Sequence, residues 1–251
     1  MKYLAFESLE KINNQLSCID KGDTRIFGRI EAYSCKNTGE DKKLKHHIES
    51  KYSEEANLGS PDASMSPILT PVSPYGPLAQ LTSRKTLFYL LATLNAAYPD
   101  YDFSDVKPEY LTKIPTVGLV VNSVNNMLLV HLGDTQNAEA VGSSIWSAID
   151  DACTTKDCDI YSFNPDRELE PDAEEGNLWS FYYFFFNKRL KRMLFFTCRS
   201  VSSMVPIQPE EDALLISDSD DAMMEEPMHR SNSSPSLSFE QYTMQPFQLD
   251  L

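Results

Sequence analysis

The sequence predicts an α+β fold: an antiparallel sheet of about five strands packed between helices, in the order ββ, helices, βββ. Three observations carry this. Trp179 and the run Phe181–Phe186 are aromatic almost without a break, so a strand formed there has two apolar faces and belongs in the middle of a covered sheet. Three stripes of apolar residues at helical spacing precede that strand in the chain. Turn-forming residues, Gly22-Asp23 near one end and Asn187-Lys188-Arg189 near the other, separate short β-rich runs.

Taken in order, Phe6, Leu9, Ile12 and Leu16 recur at roughly helical spacing and give a short first helix. Gly22-Asp23 then joins strands over 16–20 and 24–35; the second directs Ile26, Ile30 and Ala32 to one face and Phe27 and Tyr33 to the other. Ser83 is read as the N-cap of a helix carrying Leu87, Leu90, Leu91 and Leu94. Val117, Val120, Val121, Val124 and Leu128 mark a second core-facing helix that closes near Gly133, and Val141, Ile145, Ala148, Ile149 and Ala152 mark a third. A strand over 160–163, an acidic loop, and a hairpin of 178–186 with 190–198 complete the fold.

Two segments hold too little large apolar surface to offset the entropy of ordering them. Residues 37–83 are poor in such residues and contain five of the fifteen prolines; residues 201–251 are rich in Ser, Met, Pro and acid. The expectation is one discontinuous domain, 1–36 with 84–200, interrupted by a disordered regulatory linker (37–83) and followed by a disordered acidic tail (201–251).

Composition narrows the function. The chain has 251 residues and a formal net charge of −15, from 37 acidic and 22 basic residues, the wrong sign for a protein that coats nucleic acid. Five cysteines, an odd number without a CxxC pair, predict a reducing compartment rather than a disulfide framework. Glu7 and Glu10 stand where a signal peptide needs an apolar run. The uncharged stretch from Ile114 to Gly133 is interrupted by Pro115, Asn122, Asn125 and Asn126, which argues against a membrane span.

No enzyme chemistry stands out. The sequence lacks GxxxxGK[ST], GxGxxG and GxSxG. His46, His47 and His229 fall in the segments read as disordered and His131 at a helix end, so no rigid histidine site is expected. Cys153 and Cys158 read as free buried thiols. The acidic loop Asp166, Glu168, Glu170, Asp172, Glu174, Glu175 lacks the central Gly and ligand spacing of a calcium loop and reads as solvated. No catalytic residue, metal or cofactor is therefore expected.

Two features point to binding and regulation. Ser60, Ser66, Thr70 and Ser73 each precede a proline, and four proline-directed acceptors in one extended stretch suggest phosphorylation, each phosphate adding about −1.5 to −2 charges. Ser217, among acids of the tail, is a further acceptor. Lys188, Arg189, Lys191 and Arg192 form a basic cluster that fits a solvated turn, a nuclear import signal or a docking patch. Beside the aromatic strand, this cluster also suggests an alternative: a sheet-based module for single-stranded RNA, which requires Trp179, Tyr182 or Phe184 to be solvent-exposed for base stacking.

Several strings stand together: 28–35 (GRIEAYSC), 83–90 (SRKTLFYL), 99–104 (PDYDFS), 159–166 (DIYSFNPD), 178–181 (LWSF) and 184–192 (FFFNKRLKR). In this order they closely resemble the Maf-one family, the eukaryotic repressor of RNA polymerase III transcription, from the N-terminus to about residue 202. The resemblance implies a globular sheet-and-helix domain with a mobile insertion and a non-enzymatic mechanism. It implies binding to the clamp of RNA polymerase III near the largest subunit, which blocks recruitment to promoter-bound TFIIIB. It further implies control by nutrient-sensing kinases and opposing phosphatases acting on the insertion, where Ser60, Ser66, Thr70 and Ser73 lie, and shuttling between nucleus and cytoplasm through nuclear transport receptors. Lys188–Arg192 matches the family's basic targeting segment.

Overall fold

A computed structural model of the chain describes residues 1–57, 72–74, 76–78, 80–133, 135–173 and 175–204. They belong to a compact unit spanning Met1–Ile207; the second unit, Gln208–Leu251, lies outside the described residues.

The chain runs β1 (Lys2–Leu4), α1 (Glu7–Leu16), β2 (Ile19–Asp20), β3 (Thr24–Ser34), α2 (Gly39–Asn57), the small hairpin β4 (Val72–Ser73) and β5 (Gly76–Pro77), α3 (Leu81–Ala97), β6 (Leu111–Ile114), α4 (Val117–Leu132), α5 (Thr135–Cys153), β7 (Asp159–Phe163), β8 (Asn177–Asn187) and β9 (Arg192–Ser202). A seven-stranded sheet has the order β1-β3-β9-β8-β7-β6, with β2 also paired to β3, and each of these pairings is antiparallel.

This is the expected α+β sheet between helical layers, with seven strands where about five were expected. The two additional strands, β1 and β6, are only 3 and 4 residues long, too short to show alternation. The β2–β3 turn falls where Gly22-Asp23 predicts it: Gly22 takes φ +84° and its N–H bonds the Asp20 carboxylate at 2.7 Å.

The sheet separates two cores. On one face, Tyr182, Phe184, Phe186, Phe195 and Tyr161 pack against Leu87, Leu90, Leu91 and Leu94 of α3. On the other, Phe181, Phe185, Phe196, Ile26, Ile30 and Ala32 pack against α1, α4 and α5 through Leu9, Ile12, Val120, Val124, Ile145 and Ile149. Both faces of β8 are thus covered, as its composition demands. Each fully buried aromatic or aliphatic side chain contributes about 1.5–3 kcal/mol. Gly28 lets α1 lie close on β3: a Cβ there would meet Leu16 Cβ at 3.3 Å.

Four expectations need correction. Residues 39–57, read as part of the disordered linker, form α2, because Leu44, Ile48 and Tyr52 recur four apart and bury against α3 in the first core. Ser83 is not an N-cap: α3 begins one turn earlier after Gln80, and Ser83 is buried within it. The first helix begins at Glu7, leaving Phe6 as its N-cap residue. The turn between the last strands is 188–191 rather than 187–189, since Asn187 still pairs with Arg192. At the end of α4, Gly133 is the left-handed C-cap that the sequence suggested, at φ +62°. No described helix is long and apolar enough to cross a membrane.

Candidate interaction surface at the basic turn

The β8–β9 turn stands out because three of its four basic residues, Lys188, Arg189 and Arg192, are tied to neighbouring elements. Asn187, fully buried at the end of β8, donates from Nδ2 to the Cys153 carbonyl at 2.9 Å and accepts the Leu190 N–H on Oδ1 at 2.9 Å. Arg192, opening β9, donates to the Ala152 carbonyl and stacks over the Phe6 ring at 4.8 Å. These donors meet carbonyls in the last turn of α5, which have no partner within the helix and carry the negative end of its dipole. Between them the chain reverses through Lys191 at φ +51°.

The other two cations are ion-paired. Lys188 lies 2.7 Å and Lys113 2.9 Å from Asp159, and Arg189 lies 2.6 Å from Asp157. Burial raises the Asp159 carboxyl, but Lys188 and Lys113 outweigh it and hold it below its ordinary value. Of the four basic residues of the cluster, Arg192 is structural, Lys188 and Arg189 are exposed but paired, and Lys191 is exposed on the turn itself. The cluster is therefore a folded, shaped surface rather than an extended basic peptide.

The acidic loop is only partly the solvated loop that was expected. Asp172 accepts from Tyr98 Oη at 2.7 Å and faces Arg199 at 3.7 Å, while Glu170 accepts from Ser180 and Asn177. These two carboxylates brace α3 and β8. Burial, then the Asp172 charge, pushes the Tyr98 hydroxyl above its ordinary range. The charge run alone did not reveal this, because Tyr98 and Arg199 reach the loop from distant parts of the chain.

Among the phosphorylation candidates, Ser73 is described: it is buried in the β4–β5 hairpin and its hydroxyl donates to the Gly76 carbonyl. Ser60, Ser66, Thr70 and Ser217 lie outside the described residues. His131 accepts a 2.9 Å hydrogen bond from Trp179 Nε1. Among the described residues, no group of three or more His, Cys, Asp or Glu is placed to hold a metal ion. Tyr182 and Phe184 are 2% and 0% exposed and Trp179 is half-buried, so the aromatic strand offers no open stacking face and the RNA-binding alternative loses its basis.

A seven-stranded antiparallel sheet covered on both faces by helices and closed by a braced polar turn makes this an α+β protein. The sequence profile of the Maf1 regulator family matches residues 26–197, which takes in β3 to β9 almost whole. The chain is 39% identical over 209 residues to the repressor of RNA polymerase III transcription maf1 of Schizosaccharomyces pombe, covering 82% of this chain and 85% of that protein. It is 35% identical over 243 residues to the repressor of RNA polymerase III transcription of Dictyostelium discoideum, covering 81% and 86%. A crystal structure of citrus MAF1 superposes with a TM-score of 0.60 at 30% identity, over 80% of this chain and 100% of that one. The chain belongs to the Maf1 regulator family.

Proposed function

We propose that this chain represses RNA polymerase III transcription by binding the polymerase at its clamp, near the largest subunit, and so blocking its recruitment to promoter-bound TFIIIB. The observation that supports the reading is that the Maf1 family match spans nearly the whole two-core sheet, and the basic turn at its edge is folded and braced. Lys188, Arg189 and Lys191 act in this reading as a folded docking patch for an acidic partner surface, and import through nuclear transport receptors reads the same patch.

Phosphorylation of the insertion gates the interaction, written by nutrient-sensing kinases, erased by phosphatases, and coupled to shuttling between nucleus and cytoplasm. For Ser73 the physical route is specific. Its side chain is buried and its hydroxyl donates to the Gly76 carbonyl across the hairpin. A phosphate removes that donor and adds charge that burial does not tolerate, so modification requires the β4–β5 hairpin to open and then keeps it open.

The test is binding of the full-length, phosphatase-treated protein to purified RNA polymerase III, with and without a preassembled TFIIIB–promoter complex. Binding to free polymerase that is lost when the promoter complex is engaged is the expected result. Absence of binding to free polymerase at low micromolar concentration overturns the reading.

A further inference from the structure

The corner between α5 and β7 holds two thiols that the reading above does not use. Cys153 is the last residue of α5 and fully buried; Cys158 is half-buried just before β7. Their sulfurs are 3.5 Å apart, in van der Waals contact, and the Cys158 thiol also faces the Cys153 carbonyl at 3.3 Å.

The contact is held from both sides. Thr154 turns the chain at φ +51°, a left-handed conformation that costs a β-branched residue. Asp150 fixes the next residue, its Oδ1 accepting from Thr155 N–H at 2.9 Å and Thr155 Oγ1 at 2.7 Å. On the opposite side Asn187 grips the Cys153 carbonyl. Cys158 also lines a surface cleft of about 280 Å³ with Lys113, Thr116 and Lys156, large enough to admit a small oxidant.

We propose that Cys153 and Cys158 are a modification site, at which a peroxide converts the pair into an intramolecular disulfide that staples the end of α5 to the start of β7. Cys158, the thiol that reaches the cleft, attacks one peroxide oxygen with its sulfur and gives up its proton as it does so, since the Cys153 contact and burial keep it protonated beforehand. The O–O bond breaks, Cys158 becomes a sulfenic acid, and the departing hydroxide takes up the released proton as water. Cys153 sulfur then attacks the sulfenic sulfur; the S–S bond forms, the S–O bond breaks, and the hydroxyl leaves with the Cys153 proton as a second water. Two thiols are oxidised by two electrons and one peroxide is reduced. Ring closure needs the sulfurs to approach from contact at 3.5 Å to bonding distance, by side-chain rotation together with a small shift of the backbone at 158.

The corner matters beyond itself because Cys158 sits between Asp157 and Asp159, the carboxylates that hold Arg189 and Lys188. Drawing Cys158 inward moves the backbone that positions both. The oxidation state of the pair is thus mechanically linked to the basic turn.

The experiment uses the full chain carrying Cys18→Ser, since Cys18 is exposed and would otherwise link molecules together. The protein is treated with hydrogen peroxide, free thiols are alkylated, and trypsin digestion is done without reduction. Lys156 lies between the two cysteines, so trypsin separates 114–156 from 157–167. The expected product is these two peptides joined, lighter than their sum by two hydrogens, and released by reductant. A further Cys158→Ser change abolishes the joined species. Recovery of Cys153 and Cys158 on separate peptides, alkylated or over-oxidised to sulfinic acid, overturns the proposal, as does linkage of either to Cys35 or Cys198. The peptide map of the protein with Cys158 intact decides the matter even if Cys158→Ser fails to fold.

Discussion

Replacing Asn187 by Ala tests whether the basic turn is a structural joint or a decoration. The side chain is fully buried and bridges two backbone groups, the Cys153 carbonyl at the end of α5 and the Leu190 N–H inside the turn. Ala removes both bonds. The Leu190 N–H lies near the surface and can turn to water, so its loss costs about 1 kcal/mol. The Cys153 carbonyl is enclosed, and losing a buried partner costs about 1–3 kcal/mol. The expected destabilisation is about 2–4 kcal/mol, which for a domain of this size lowers the melting temperature by roughly 5–15 °C. Urea denaturation of the full chain, followed by circular dichroism, measures it. Lys188→Ala is the paired control: it removes an exposed ion pair to Asp159 and should cost under about 1 kcal/mol. If Asn187→Ala cost no more than Lys188→Ala, the α5 terminus would not depend on this side chain and the account of the turn as a brace would fail.

Two further changes probe other parts of the argument. Gly142→Ala puts a better helix former into α5, worth about 1 kcal/mol in isolation, yet its Cβ would meet Asn125 Oδ1 at 2.9 Å, the atom that accepts the Trp146 indole N–H; thermal melts should show a net loss of stability, and a gain would mean that α4 and α5 shift apart without cost. Asp159 has a folded value below its ordinary 3.8 because Lys188 and Lys113 outweigh burial, so its ionised form contributes stability above 3.8 that is lost as pH falls through the lowered value; Asp159→Asn should therefore melt below the unmodified protein at pH 7, and the gap should narrow as pH falls below 3.8.

The strongly patterned parts of this fold were legible from the residues alone. β3, β8 and β9 show either clean alternation or two apolar faces, and α4 announces its own end at Gly133. Helix α2 was missed because its three anchors, Leu44, Ile48 and Tyr52, stand among charges, and counting apolar residues over the whole of 37–83 hid a stripe visible in a twelve-residue window. The candidate surface was half legible. The basic cluster could be seen, but its partners Asp157 and Asp159 come from another strand pairing, and nothing local tells that Arg192 caps a helix forty residues upstream. Likewise Glu170 and Asp172 looked like surface charge until Ser180, Tyr98 and Arg199 were brought to them by the sheet.

The two-sided covering of β8 has a consequence for how the chain finds its structure. In a sheet with one wet face, sliding a strand by one residue exposes its apolar set and is punished at once. Here a slip of β8 against β9 would exchange Phe181 and Phe185 for Tyr182, Phe184 and Phe186 and still bury aromatic rings on both faces. Hydrophobicity alone is therefore nearly blind to the alignment of these strands. What breaks the tie is the tight reversal at 188–191, with Asn187 closing on Leu190 and Lys191 in its left-handed turn, together with the bulge between Asn177 and Trp179. Errors in this small turn should surface as misaligned chains lost to aggregation during synthesis as well as in a weaker native protein, so that soluble yield is a second quantity it guards beside the melting temperature.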